Sequence, residues 1–176
     1  MENFIFQNPT KLVFGKGTIA RLGELIPAGK RVMVTFGGGS VRCNGVYDEV
    51  CAALAGRDTV EFWGIEPNPS IETLREAIAL GKEREVDFLL AVGGGSVIDS
   101  CKAIAYGLAE PEHDVWELYA GQRKAKACFP VASVLTIAAA GSEMSNSCVI
   151  TNTDTEEKRA YDDDLPARSL PSWTPN

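Results

Sequence analysis

The sequence predicts an α/β fold: a mainly parallel sheet flanked by helices, with a β-hairpin near the C-terminus. Short apolar runs alternate along the chain with stretches whose apolar residues recur at helical spacing, the pattern of strand–helix–strand units. Two of those runs stop at the same five letters, GGGSV, at Gly37–Val41 and Gly93–Val97. After Phe129 the alternation gives way to two apolar runs and a turn-rich stretch.

Phe4–Phe6 and Lys11–Phe14 flank QNPT and read as strand, turn, strand. Gly17–Ile26 follows with Ile19, Leu22, Leu25 and Ile26 at helical spacing. Arg31–Phe36, an apolar run halted by three glycines, reads as a buried strand. Val46, Val50, Ala53 and Leu54 share a helical face that Gly56 ends. Thr59–Gly64 is the next strand, and Ser70 and Thr73 open a helix carrying Ile71, Leu74, Ala77, Ile78 and Gly81. Asp87–Val92 is a third β-run and Ser96–Leu108 a further helix. Cys148–Thr151 and Lys158–Tyr161 form a hairpin around TNTDTEE, and nothing after Asp164 has a clear period. The expected division is therefore an α/β domain over 1–164 and an irregular tail over 165–176.

Composition narrows the function classes. A chain of 176 residues, 45% hydrophobic and 23% charged, fits one globular domain. A net charge of −7 argues against a nucleic-acid or membrane-surface role, both of which need a basic face. No apolar run approaches membrane-spanning length, and MENFIFQNPTK lacks the basic start and apolar core of a signal peptide. The five cysteines (Cys43, Cys51, Cys101, Cys128 and Cys148) are odd in number and include no CxxC pair, which reads as reduced, mostly buried thiols in a cytoplasmic protein. His113 is the single histidine, so no His dyad or His-rich metal site can be built within this chain.

The glycine turns carry the chemistry. In an open parallel sheet, ligands sit beyond the carboxyl ends of strands, where backbone amides and helix N-termini point outward. Glycine lets a pyrophosphate reach those amides without a Cβ in the way. Spacing alone leaves two readings of each GGGS: a tight turn with a serine N-cap, or a phosphate cradle. The segments that follow differ, VIDSCK after Ser96 and VRCNG after Ser40, so they are two turns at neighbouring strand ends and not a long repeat. Neither is a GxxxxGK[ST] loop, and ATP hydrolysis has no support.

PTKLVFGKG (9–17), GGGSV…G (37–45), PNP (67–69), AVGGGSVIDSCKAIA (91–105) and LTIAAAGSEMSNSCVI (135–150) together resemble the cofactor-binding half of the iron-containing (group III) alcohol dehydrogenases. The nearest branch is that of butanol dehydrogenases and NADPH-dependent aldehyde reductases. The resemblance implies a Rossmann-like domain, with the family's second, all-helical domain absent. It implies that Gly94, Gly95 and Ser96 lie against the pyrophosphate, and that Asp99 meets the nicotinamide side. Thr136 also faces the cofactor, while the second threonine of the family's TxxxTGSE is Ala140 here, one hydroxyl fewer. Lys102 matches the motif lysine; read from its helix alone, it is equally a solvated residue. The resemblance also implies that Gly37, Gly38, Gly39 and Ser40 take the adenosine end. No carboxylate stands in that turn to bind a ribose 2′-OH or repel a 2′-phosphate, so NADP(H) is expected ahead of NAD(H). Arg42, two residues on, is either a phosphate partner or an uninvolved surface cation.

The family transfers hydride between NAD(P) and a primary alcohol or aldehyde, with iron or zinc held by one Asp and three His in the helical domain. His113, in AEPEHDVWE, matches none of those ligands, so this chain by itself is expected to bind no metal and to be inactive. The family's continuation P-x-F-A-I-x-D-P is replaced by PARSLPSWTPN. One permitted back-translation of Pro166–Asn176, read from its third base, gives Arg-Pro-Lys-Phe-Ala-Ile-Met-Asp-Pro-Glu. Most of those codons are free choices, but Trp173–Thr174 obligatorily contains an out-of-frame GAC. The tail is thus read as frameshift-derived, against a natural divergent terminus. Expected partners are the dinucleotide, a small alcohol or aldehyde in the full-length parent, and a second copy pairing through Phe4–Phe14. The rival reading is a standalone NADP(H)-binding sensor or regulatory module without catalysis.

Overall fold

The computed structural model describes residues 8–166 and the backbone of 171–174. β1 (Lys11–Phe14) leads through a 3-10 turn (Thr18–Arg21) to α1 (Leu22–Leu25), β2 (Arg31–Phe36), α2 (Val46–Ala53), β3 (Asp58–Phe62), α3 (Ile71–Glu83), β4 (Phe88–Gly93) and α4 (Gly95–Ala109). Then follow α5 (Trp116–Tyr119), β5 (Val131–Leu135), β6 (Ser147–Asn152), β7 (Glu157–Asp162) and β8 (Pro171–Thr174).

Six strands form one sheet in the order β1-β8-β5-β4-β2-β3, every neighbouring pair parallel. The chain leaves β2 for β3 on one side and returns past it to place β4 on the other. That reversal makes the carboxyl ends of β2 and β4 a topological switch point, where open α/β sheets form their ligand crevice. β6 and β7 pair antiparallel as a separate hairpin, Ser147 opposite Asp162 and Asn152 opposite Glu157.

Burial on both faces explains why the central strands β2, β4 and β5 are mainly apolar runs. Alternate residues feed two cores. Met33, Leu89, Ala91, Val131 and Leu135 pack against α3, α4, α5 and the hairpin. Val32, Val34, Phe36, Leu90, Val92 and Val134 pack against α1, α2 and Ile19. α4 is buried along almost its whole length, because the sheet covers one side and β6 with α3 covers the other. α3 begins where Ser70, in extended conformation, accepts the Thr73 amide at 3.3 Å.

Three expectations are corrected. The helix expected over 17–26 is a 3-10 turn followed by one α-turn, stopped at Ile26 in extended conformation. Arg57 holds that exit, donating to the carbonyls of Ile26 at 3.0 Å and Pro27 at 2.8 Å. The tail is not irregular throughout: Pro171–Thr174 is a strand between β1 and β5. It pairs parallel to both, and proline is tolerated at a strand's first residue. The thiols are all free but not mostly buried, since Cys43 and Cys51 are exposed. The strand expected at Phe4–Phe6 lies outside the described residues.

Candidate functional site

The two GGGSV turns meet at the switch point. Phe36 pairs with Val92, so Gly37 and Gly93 leave the ends of adjacent parallel strands side by side. Thr136 follows β5 on the next strand, half-buried, its amide donating to the Gly93 carbonyl at 3.0 Å. The loop after β3 crosses the same edge, with the Ile65 amide on the Phe36 carbonyl at 3.1 Å. Three of the expected contact segments thus line one edge of the sheet.

At the second turn, Gly94 is the N-cap of α4, and its carbonyl accepts the amides of Val97 at 3.1 Å and Ile98 at 3.2 Å. The Gly95 and Ser96 amides belong to the first turn, which has no intrahelical acceptors to offer them. A helix N-terminus with outward amides favours an anion. A Cβ on Gly94 would meet nothing within 4 Å, so the space in front of those amides is open. A Cβ on Gly95 would lie 3.2 Å from the Ser142 hydroxyl oxygen, so the glycine sets how closely the loop after β5 approaches α4.

One turn further along α4, Asp99 Oδ2 accepts the Val149 amide at 3.1 Å. Its Oδ1 is buried without a hydrogen-bond partner, 4.0 Å from the Lys102 ammonium. Burial raises the Asp99 pKa above the usual carboxylate value, with the Val149 amide, Lys102 and the Ser142 hydroxyl opposing. Lys102 is not a solvated helix residue: it is 4% exposed. Its ammonium donates to the carbonyls of Ser142 at 2.8 Å, Ser145 at 2.9 Å and Ser147 at 2.7 Å. All three N–H groups are thereby engaged in holding the loop between β5 and β6. Burial lowers its pKa, with the Asp99 carboxylate the largest opposing influence.

Gly95, Ser96 and Asp99 line a cavity of about 280 Å³ together with Ala140, Ser142 and Val149. Asn68, Pro69 and Lys158 complete its wall, and the sequence assigns none of them an individual role. Lys158 Nζ donates to Asn68 Oδ1 at 2.7 Å, joining the hairpin to the loop before α3. Asn68 has φ 57°, and its place between two prolines was the available signal. Gly37–Ser40 and Thr136 lie on the same edge but do not line this cavity, and neither does Lys102.

In the first turn Gly39 has φ 100°, a conformation that requires glycine, whereas a Cβ on Gly38 would meet open space. Ser40–Arg42 continues as a 3-10 turn with Val41 buried beneath. His113 is half-exposed, 3.3 Å from Glu117. Among the described residues, no group of three or more His, Cys, Asp or Glu is placed to hold a metal ion. The site does fit a dinucleotide: glycine-lined amides, an open cradle and one orphaned carboxylate oxygen converge on one edge. Among the described residues, no helix is long and apolar enough to cross a membrane.

The family described as "Iron-containing alcohol dehydrogenase" matches residues 9–170. A probable NADH-dependent butanol dehydrogenase 1 of Bacillus subtilis is 48% identical over 92% of this chain and 42% of its own length. The NADPH-dependent aldehyde reductase YqhD of Escherichia coli is 49% identical, again over 92% of this chain and 42% of its own. The crystal structure of NADH-dependent butanol dehydrogenase A from Thermotoga maritima superposes with a TM-score of 0.92 at 44% identity. It is covered over 44% of its length by 99% of this chain. The chain thus spans less than half the length of these relatives and corresponds to their N-terminal part.

Proposed function

The chain belongs to the iron-containing alcohol dehydrogenase family, and on that premise we propose that it is the dinucleotide-binding half of an NAD(P)-dependent alcohol dehydrogenase or aldehyde reductase. The observation that carries the proposal is the meeting of two glycine turns at the β2–β4 switch point, beside the open N-terminus of α4.

In this reading the pyrophosphate rests on the Gly95 and Ser96 amides, with Gly94 leaving room for its approach. Asp99 and Thr136 stand toward the nicotinamide. The adenosine end lies over Gly37, Gly38, Gly39 and Ser40. Lys102 acts at one remove, holding the loop that carries Ala140 and Ser142. When bound, the nicotinamide supplies or accepts the hydride; these residues bind it, orient it and exclude water from one side. The described residues include no metal-ligand set, so the chain alone is proposed to bind dinucleotide without turning over alcohols or aldehydes. Purified chain oxidising butanol would overturn that part.

NADP(H) is proposed as the preferred cofactor, because the Gly37–Ser40 turn offers no carboxylate against a 2′-phosphate. Fluorescence titration with NADPH and NADH tests both levels. Binding of neither removes the dinucleotide reading. If the preference is correct, Gly38→Asp, at a position with open space, lowers the NADPH-to-NADH affinity ratio on the order of tenfold. An unchanged ratio would sink the preference alone.

A further inference from the structure

Beside the first glycine turn, the end of β2, the start of α2 and the residue after β3 build an aromatic platform. Phe36 and Trp63 stack with centroids 4.0 Å apart and planes at 15°. Tyr47 closes the group edge-on, 5.6 Å from Phe36 and 5.5 Å from Trp63. The Arg42 guanidinium lies over this platform, 4.0 Å from the Trp63 ring centroid and 5.5 Å from that of Tyr47. A guanidinium stacked on a ring engages its face and leaves its in-plane N–H fork free for an anion.

The Glu61 carboxylate, which contacts two rings of the platform, does not claim that fork. Glu61 Oε1 accepts the Tyr47 hydroxyl at 2.9 Å, and Oε2 accepts the Trp63 indole N–H at 2.7 Å. Hydrogen bonds to Cys51 and then Glu61 push the Tyr47 phenol up to about 12, so it remains the donor in that contact. Among the described residues Arg42 has no ion pair and no side-chain hydrogen bond; its only contacts of this kind are the two rings. An exposed cation with a vacant fork is thus held over two rings, two residues beyond Ser40.

We infer that Arg42, oriented by Trp63 and Tyr47, is the residue that anchors the 2′-phosphate of a bound NADP(H) and so determines cofactor preference. The inference rests on the dinucleotide reading above and adds to it the residue and the aromatic support that would make the preference positive. An open glycine turn merely tolerates a phosphate; a bidentate guanidinium attracts one. Trp63 and Tyr47 contribute by reducing the conformations Arg42 must give up on binding.

The test uses the whole chain with 2′,5′-ADP, 5′-ADP and inorganic phosphate as probes, read by calorimetry. Wild-type protein should bind 2′,5′-ADP more tightly than 5′-ADP. Arg42→Ala should weaken 2′,5′-ADP on the order of tenfold and leave 5′-ADP within about twofold, as expected for loss of one charge-assisted bidentate contact. Arg42→Lys should recover part of the loss, and Trp63→Leu should give an intermediate effect on 2′,5′-ADP alone. Equal losses for both nucleotides on Arg42→Ala, or none, would overturn the assignment. Inorganic phosphate competing as well as 2′,5′-ADP would reduce Arg42 to a general anion site and also overturn it. Wild type binding neither nucleotide would instead bring down the dinucleotide reading on which this one stands.

Discussion

The Lys102 ammonium donates to the carbonyl oxygen of Ser147 at 2.7 Å, joining the middle of α4 to the start of β6. With the parallel contacts to Ser142 and Ser145, one buried cation fixes both ends of the turn that carries Ser142 into the cavity. Hydrogen bonds from a charged donor contribute about 1.5–3 kcal/mol each, and buried carbonyls left without a donor add a penalty. Lys102→Met should therefore destabilise the chain by about 2–4 kcal/mol in urea unfolding, less than the simple sum because water can reach the loop. Hydrogen exchange should rise at 142–148 before it rises in β4. Protection of that loop equal to wild type would show that Lys102 does not hold it.

Asp99 gives a pH prediction of definite sign. Its folded pKa lies above 3.8, because burial disfavours the charged form. Between 3.8 and that raised value the folded chain binds more protons at this site than the unfolded one, so its contribution to stability falls as pH rises. Above the folded pKa the full penalty is present. Asp99→Asn does not titrate there. Its stability relative to wild type should accordingly increase with pH across the acidic range and level off toward neutrality. Paired denaturation curves at stepped pH read the difference directly, with the shared titrating groups cancelling. A stability gap that shrinks as pH rises would contradict the burial argument.

The sheet domain was legible because its strands and helices have strong local patterns. Arg31–Phe36 is legible to the residue, since five consecutive apolar or β-branched positions run straight into three glycines. Ser70 announced α3 because N-capping is a local interaction. Lys102 was less legible. Its environment comes from three carbonyls 40 to 45 positions away in sequence, and no local pattern reports that a lysine on an apolar helix will be covered. Lys158 and Asn68 were missed for the same reason: they meet only when the hairpin folds over the loop before α3. β8 was invisible because its partners, β1 and β5, lie far from it in sequence and no local period announces the pairing.

The cysteines should divide sharply by reactivity. Cys101 is fully buried with its sulfur 2.6 Å from the Thr35 hydroxyl, and burial pushes its pKa up to about 12. Cys148 lies 3.1 Å from the Tyr119 hydroxyl and is likewise raised by burial to about 12. Thiolate is the reactive form, so neither should react while the fold is intact. Cys43 and Cys51 are exposed. Brief treatment with iodoacetamide followed by peptide mass mapping should find label on Cys43 and Cys51, and on Cys101 and Cys148 only after denaturation. Early modification of Cys101 would mean that α4 opens from the sheet under native conditions.

The closest packing in the site lies under the second glycine turn. A Cβ on Gly93 would stand 2.6 Å from Val97 Cγ2 and 3.0 Å from Val97 Cβ, and Val97 is buried and β-branched with little rotamer freedom. Gly93→Ala must therefore push the first turn of α4 away from β4, at about 1–3 kcal/mol for overpacking. That displacement moves the Gly95 and Ser96 amides, the groups assigned to the pyrophosphate, so NADPH affinity should fall along with stability. Gly94→Ala makes the matching control: its Cβ meets nothing in the protein but enters the space the phosphates would fill. It should leave the unfolding midpoint nearly unchanged and weaken NADPH on the order of tenfold or more. Val97→Ala, which opens room for the added methyl, should restore part of the stability in the Gly93→Ala background, a coupling expected only for residues in contact. If Gly94→Ala bound NADPH as wild type does, the cradle in front of α4 would not be where the phosphates sit.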